Sequence, residues 1–142
     1  MKPGILVSIA VAICVMSISG CGTLSARNQA DKLERSVTHY ASALRWARLQ
    51  EAINYHMTQD GKSAEVNLEY LEQFSVTSLD VISKTIIPSA EKDGVTEADI
   101  NFEMNYYHKE QGTVRKLKLN QVWWYSKKHN TWLIESDFPE FK

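Results

Sequence analysis

At 142 residues and 16.2 kDa the chain has room for one globular domain and little else. Its 44% hydrophobic fraction, with four Trp, six Tyr and four Phe, supplies a packed core and excludes wholesale disorder. A formal charge of −1 gives no basic excess for phosphate backbones, so nucleic acid is not an expected partner. The two cysteines, Cys14 and Cys21, leave the rest of the chain without a disulfide, a thiolate metal site or a thiol nucleophile.

Residues 1–21 join a charged start at Lys2 to an apolar run over 5–16 and a small-residue segment over 17–20, the anatomy of an export signal. An uncleaved spanning helix needs about 20 apolar residues. This run stops after about 12, at Ser17, Ser19 and Gly20. The stretch 22–30, with Thr23, Ser25, Arg27, Asn28 and Gln29 and no apolar pattern, reads as a tether spanning at most about 30 Å.

The motif Ile18-Ser19-Gly20-Cys21 resembles a bacterial lipobox, in which an aliphatic and two small residues precede an acylated cysteine. The resemblance implies a lipoprotein signal peptide over 1–20, a diacylglyceryl group on the Cys21 sulfur, acylation of the freed amine, a lipidated tether over 21–30 and a single domain over 31–142. Cys14 is then removed, and the covalent lipid on Cys21 is the only prosthetic group. The implied partner is the lipid bilayer, which several acyl chains hold far more firmly than one. Gly22 stands where the resembled inner-membrane retention signal has Asp, which favours the outer membrane, facing the periplasm, over the inner.

From 28 to 57 there is no Pro or Gly, Ala and Leu are frequent, and Asp60-Gly61 closes the stretch, as in a helix with a glycine stop. At 100° per residue Leu33, Val37, Tyr40, Leu44 and Ala47 share one direction, while Trp46, Leu49, Ile53 and Met57 lie almost opposite. One straight amphipathic helix does not do that. A break near Arg45-Trp46-Ala47 is predicted, between helices over 28–45 and 47–58; the alternative is one continuous helix buried on different faces. Ala64, Leu68, Leu71 and Phe74 then predict a short third helix over 63–74.

Beyond Phe74 the period becomes two. A strand over 76–87, ending before Pro88, precedes the alternation Ala98, Ile100, Phe102, Met104, Tyr106. Leu117, Leu119, Trp123 and Tyr125 share a parity, as do Trp132 and Ile134, so the strands form an antiparallel meander. A turn centred between Glu110 and Gln111 sets Phe102 opposite Leu119, Met104 opposite Leu117 and, on the other face, Glu103 opposite Lys118. Across 127–130, Tyr125 meets Trp132, Trp123 meets Ile134 and Gln121 meets Ser136. Phe102, Met104, Leu117, Leu119, Trp123 and Ile134 make the floor of the core; Trp46, Leu49 and Ile53 make its roof. Gln121 and Ser136 line a wet pocket or bond each other, unless a bulge re-aims Gln121. Val122, Trp124 and Leu133 fall on the face expected to be wet, covered by the chain ends or first helix, or forming a partner site. Gln121, Trp123, Ser136 and Trp124 are thus the candidate pocket or partner face.

Helix, break, helix and short helix followed by a four-stranded meander with aromatics on one face resembles the nuclear transport factor 2-like superfamily, a cone-shaped α+β fold with helices on a curved antiparallel sheet. The segment YASALRWARLQEAINY (40–55) is similar to its opening helix pair, and QVWWY (121–125) and WLIESDFPEF (132–141) to its last two strands in small uncharacterised proteobacterial lipoproteins. The superfamily holds enzymes and binding modules alike. Enzymes of this kind use an acid and a Tyr or acid donor inside the cone, whereas Asp99 and Glu103 read outward here, and Asp80 faces inward only if its strand slips from the register burying Leu79 and Val81. His39, His56, His108 and His129 form no close metal-ligand set; His56 reads as a satisfied core or helix-end histidine. No nucleophile elbow or glycine-rich phosphate loop is present. Arg115, Lys116, Lys118, Lys127 and Lys128 interleave with Glu103 and Glu110 as a solvated sheet face, or alternatively touch anionic headgroups or cell-wall polymers. A membrane-anchored, non-enzymatic binding or assembly module for an envelope protein or small apolar ligand is the expectation; the alternative is a cone-cavity enzyme or apolar-ligand carrier resembling ketosteroid isomerase.

Overall fold

A computed structural model describes residues 21–90 and 94–142, with backbone alone at 21 and 22. The expected signal peptide 1–20, with Ile18, Ser19 and Gly20 of the lipobox, lies outside the described residues, as does the Cys21 side chain. The chain divides into two compact units, Met1–Asp31 and Lys32–Lys142. In the first, the described part is the beginning of helix α1 (Cys21–Arg45), exposed from Thr23 to Asn28. The stretch 22–30 is therefore helical and not an extended tether: after Gly22 no Gly or Pro interrupts it, and polar side chains suit a solvated helix. Nine such residues rise about 14 Å. Among the described residues no helix is long and apolar enough to cross a membrane.

The second unit is α+β. The rest of α1, then α2 (Leu49–Ile53) and α3 (Leu68–Leu71), precede a four-stranded open antiparallel sheet of β1 (Phe74–Ile87), β2 (Glu97–His108), β3 (Val114–Ser126) and β4 (Thr131–Ile134), in the order β1-β2-β3-β4. Leu33, Val37, Tyr40 and Leu44 of α1 are buried in one core with Ala98, Ile100, Phe102, Met104 and Tyr106 of β2 and with Trp123, Trp132 and Ile134. The α1 stripe of one face and the strand alternation of the other meet there, as their periods require.

The break is where the phase reversal puts it. Arg48 N–H donates to the Ala43 carbonyl at 2.8 Å and Ala47 N–H to Leu44 at 3.3 Å, with Ala47 at φ 53°, a Schellman end with alanine in the place glycine usually takes. The turn throws Trp46 outward, 72% exposed, so Trp46 is not part of the roof. Leu49 is half-buried and Ile53 buried; the roof is chiefly Leu33, Val37, Tyr40 and Leu44. Helix α2 stops well short of residue 58 because the chain joins β4 instead: Ile134 N–H donates to the Tyr55 carbonyl at 2.7 Å and Met57 N–H to Ile134 at 3.1 Å. Helix α3 is a single turn, not 63–74. Asn67 caps it through Tyr70 N–H at 3.1 Å, Ser63 bridges to Met57, and Phe74 already belongs to β1.

Both predicted hairpin registers are present: Phe102 opposite Leu119, Met104 opposite Leu117, Glu103 opposite Lys118, Trp123 opposite Ile134 and Tyr125 opposite Trp132. Gly112, at φ 68°, supplies the left-handed residue of the first turn. Leu117 and Leu119 are only half-buried, at the margin of the core. Register shifts between Val76 and Ser78 and between Val81 and Ser83 bulge β1, so Val76 and Leu79 are both buried while Val81 is 46% exposed. Asp80 is exposed. After Ile134 the chain is irregular rather than a continuing strand, and it returns Phe138 and Phe141 to the core; Phe141 stacks on Phe74 at 5.2 Å between centroids.

Candidate functional site

A line of polar groups runs through the aromatic core. Tyr40 projects from the buried stripe of α1, His56 follows α2 where the chain meets β4, and Gln121 and Trp123 share the inner parity of β3. Trp123 and Tyr40 are fully buried, and His56 and Gln121 are each 2% exposed. Tyr40 meets the ring of Trp123 edge-on at 5.7 Å between centroids.

Chemistry orients every link. The Ser136 carbonyl only accepts, so His56 Nδ1, 2.8 Å away, carries the proton and donates. Burial lowers the His56 pKa to about 4, against the opposing pull of the Ser136 bond and the Asp137 charge, so the ring is neutral and Nε2 accepts. The Tyr40 hydroxyl, 3.0 Å from Nε2, therefore donates to it. Gln121 Nε2 donates to Tyr40 Oη at 3.2 Å, and Trp123 Nε1 donates to Gln121 Oε1 at 3.2 Å. The hydrogens thus point one way, from Trp123 through Gln121, Tyr40 and His56 to the Ser136 carbonyl. Burial raises the Tyr40 pKa, and the Gln121 bond opposes this only in part, so the phenol keeps its proton. Among the described residues no buried polar side-chain atom lacks a partner. A closed chain of this kind fixes the packing of helix on sheet.

Gln121 does not pair with Ser136. It turns toward Tyr40 because β4 ends at Ile134. Beyond it the Ser136 hydroxyl is taken by Val122 N–H at 2.9 Å. Gln121 and Trp123 are buried, whereas Ser136, with His56, Thr58, Lys62, Glu65 and Asp137, lines an open cleft of about 640 Å³. Trp124 is half-buried, its Nε1 donating to the Met57 carbonyl at 2.8 Å, and Leu133 is 6% exposed. That bond ties Trp124 to the loop after α2. His56 is the satisfied core histidine the sequence suggests. The part of Tyr40 is new; its signal was a phenol in phase with Leu33, Val37 and Leu44, a buried hydroxyl that needs a partner.

Two further places are accessible. His39 Nδ1 lies 3.0 Å from Tyr55 Oη and its Nε2 3.5 Å from Glu51, at the surface; burial and then Glu51 raise the Tyr55 pKa, which keeps this phenol protonated too. Between α1 and β1 a groove of about 320 Å³ has Val37, Ala41, Leu79 and Val81 in its lining with Trp46 and Arg45. Among the described residues no group of three His, Cys, Asp or Glu is placed to hold a metal ion. No protein-family model, curated protein or solved structure matches the chain.

Proposed function

We propose that the protein is a lipid-anchored bacterial envelope protein, held through Cys21 in the outer membrane and facing the periplasm, whose domain is a nuclear transport factor 2-like cone acting as a non-enzymatic binding or assembly module. The export signal and the lipobox-like Ile18-Ser19-Gly20-Cys21 support the anchor. The order of three helices and a four-stranded meander, with Trp123, Trp132 and Phe102 on the inner face, supports the cone.

The observation that carries the binding reading is Trp46. It is 72% exposed beside an apolar groove, while Tyr40 and His56, the titratable pair of the inner face, spend their hydrogens on each other and on Ser136. An accessible tryptophan next to apolar lining favours an apolar ligand or partner segment. Titration of an environment-sensitive apolar dye tests this: saturable binding by the wild type is expected to be lost in Trp46→Ala at equal folded fraction. Equal binding by both proteins refutes the groove. For the anchor, Cys21→Ser is expected to abolish labelling by a palmitate analogue and leave an unprocessed precursor, because the thiol is the lipid acceptor. Unchanged labelling refutes the lipoprotein assignment.

A further inference from the structure

The five basic residues grouped by the sequence separate into two sets in the fold. Arg115, Lys116 and Lys118 lie at the start of β3, and Lys127 and Lys128 follow its end. A strand of 13 residues, at about 3.3 Å per step, puts these ends about 40 Å apart. In the first set two of the three are engaged: Arg115 donates to the Lys142 carbonyl and to Gln111 Oε1, and Lys116 pairs with Glu103 at 2.7 Å, while Lys118 is exposed. Lys127 and Lys128 are exposed beside His129, and neither lysine has an ion-pair partner among the described residues. With Asp60 and Trp124 they line a cleft of about 570 Å³, and Asp60 is held by Lys62 at 2.9 Å.

Helix α1 decides where this turn sits. Lys32, the first residue of the second unit, donates to Tyr125 Oη at 3.0 Å and to Asn130 Oδ1, its ammonium 5.5 Å from the Tyr125 ring centroid. Tyr125 Oη donates to the same Asn130 Oδ1 at 2.7 Å, and the Ser36 and Thr131 hydroxyls meet at 3.4 Å. The β3–β4 turn is thus fastened at the point where the chain enters this unit. Lys32 follows Cys21 by only eleven residues, a reach of about 40 Å at full extension and about 16 Å as helix.

We propose that the β3–β4 turn, through Lys127 and Lys128, docks on the anionic headgroups of the bilayer that holds the Cys21 lipid. This rests on the lipid-anchored reading: the anchor supplies proximity and the lysines supply orientation. A lysine at an anionic surface contributes about a fivefold enrichment. That attraction fades beyond a Debye length, about 10 Å at 0.1 M salt. A turn held close to the surface feels it and the far set does not. The domain then presents its turn end to the membrane and the Arg115 end to the periplasm.

The lipidated protein, carrying one fluorophore through His129→Cys, is placed in vesicles of phosphatidylcholine alone or mixed with an equal part of phosphatidylglycerol, each with a headgroup-linked quencher. Quenching is expected to rise about twofold or more in the anionic vesicles and to fall back in high salt. Lys127→Gln/Lys128→Gln should abolish the rise, and the charge-matched Lys116→Gln/Lys118→Gln should leave it unchanged. Equal quenching in the two vesicles, or equal loss in the two double variants, overturns the docking. A palmitate-analogue label on the same protein reports the anchor separately. Label without lipid-dependent quenching sinks the docking alone, whereas absence of label sinks the anchored reading and the docking with it.

Discussion

Acidification is expected to loosen the domain through one side chain, His56. Its pKa is about 4 in the folded protein and 6.5 in the unfolded chain, so between these values the unfolded state binds the extra proton. Stability from this group is complete above 6.5, is lost as pH falls through the window, and levels off below about 4. At 1.36 kcal/mol per pKa unit the loss totals about 3 kcal/mol, a large share of the stability of a small domain. The structural cause is specific: a proton added at Nε2 turns the acceptor of the Tyr40 hydroxyl into a second donor, inside a core where the ring is 2% exposed and packs 4.9 Å from Phe138. Urea unfolding of wild type and His56→Phe across this range separates the effect from the carboxylates, which titrate in both. The variant is less stable at neutral pH, since the Tyr40 hydroxyl and the Ser136 carbonyl lose their partner, but the gap should narrow by about 3 kcal/mol by pH 4. A gap that stays constant with pH refutes a neutral, buried His56.

Tyr40→Phe removes the middle of the chain and strands His56 Nε2 and Gln121 Nε2 in the core; by denaturant unfolding it should cost about 3 kcal/mol, and a cost below 1 kcal/mol contradicts the hydrogen-bond order. Trp123→Ala, at a fully buried site, should cost about 3 to 5 kcal/mol, whereas half-buried Trp124→Ala should cost about 1 to 2 kcal/mol; equal losses count against the β3 parity. Ala47→Gly should raise the stability by about 0.5 to 1 kcal/mol because Ala47 sits at φ 53°, and a loss of stability means that the left-handed helix end is not as described.

Local pattern sufficed wherever a single period and a single turn set the outcome. The centre of the Glu110-Gln111 turn determines every β2–β3 partner, because side chains alternate strictly and a one-residue slip would turn Phe102 and Met104 outward. The opposed phases of Leu33–Leu44 and Leu49–Ile53 likewise determine that the helix breaks, since one straight helix has one buried face. Tertiary structure decided the rest. The chain after Asn54 has helical composition, yet β4 offers its backbone a partner at Ile134, and that pairing cuts α2 short. The bulges in β1 reset its parity, which no alternation read from Ser75 to Ile87 reveals. Gln121 faces inward as its parity demands, but its partner is Tyr40, 81 residues away on a helix, rather than the nearer Ser136. A strand pattern specifies which way a side chain points; only the packing of helix on sheet specifies what it meets there, because a buried polar group must find a donor or acceptor among whatever elements the whole fold brings within 3 Å or so.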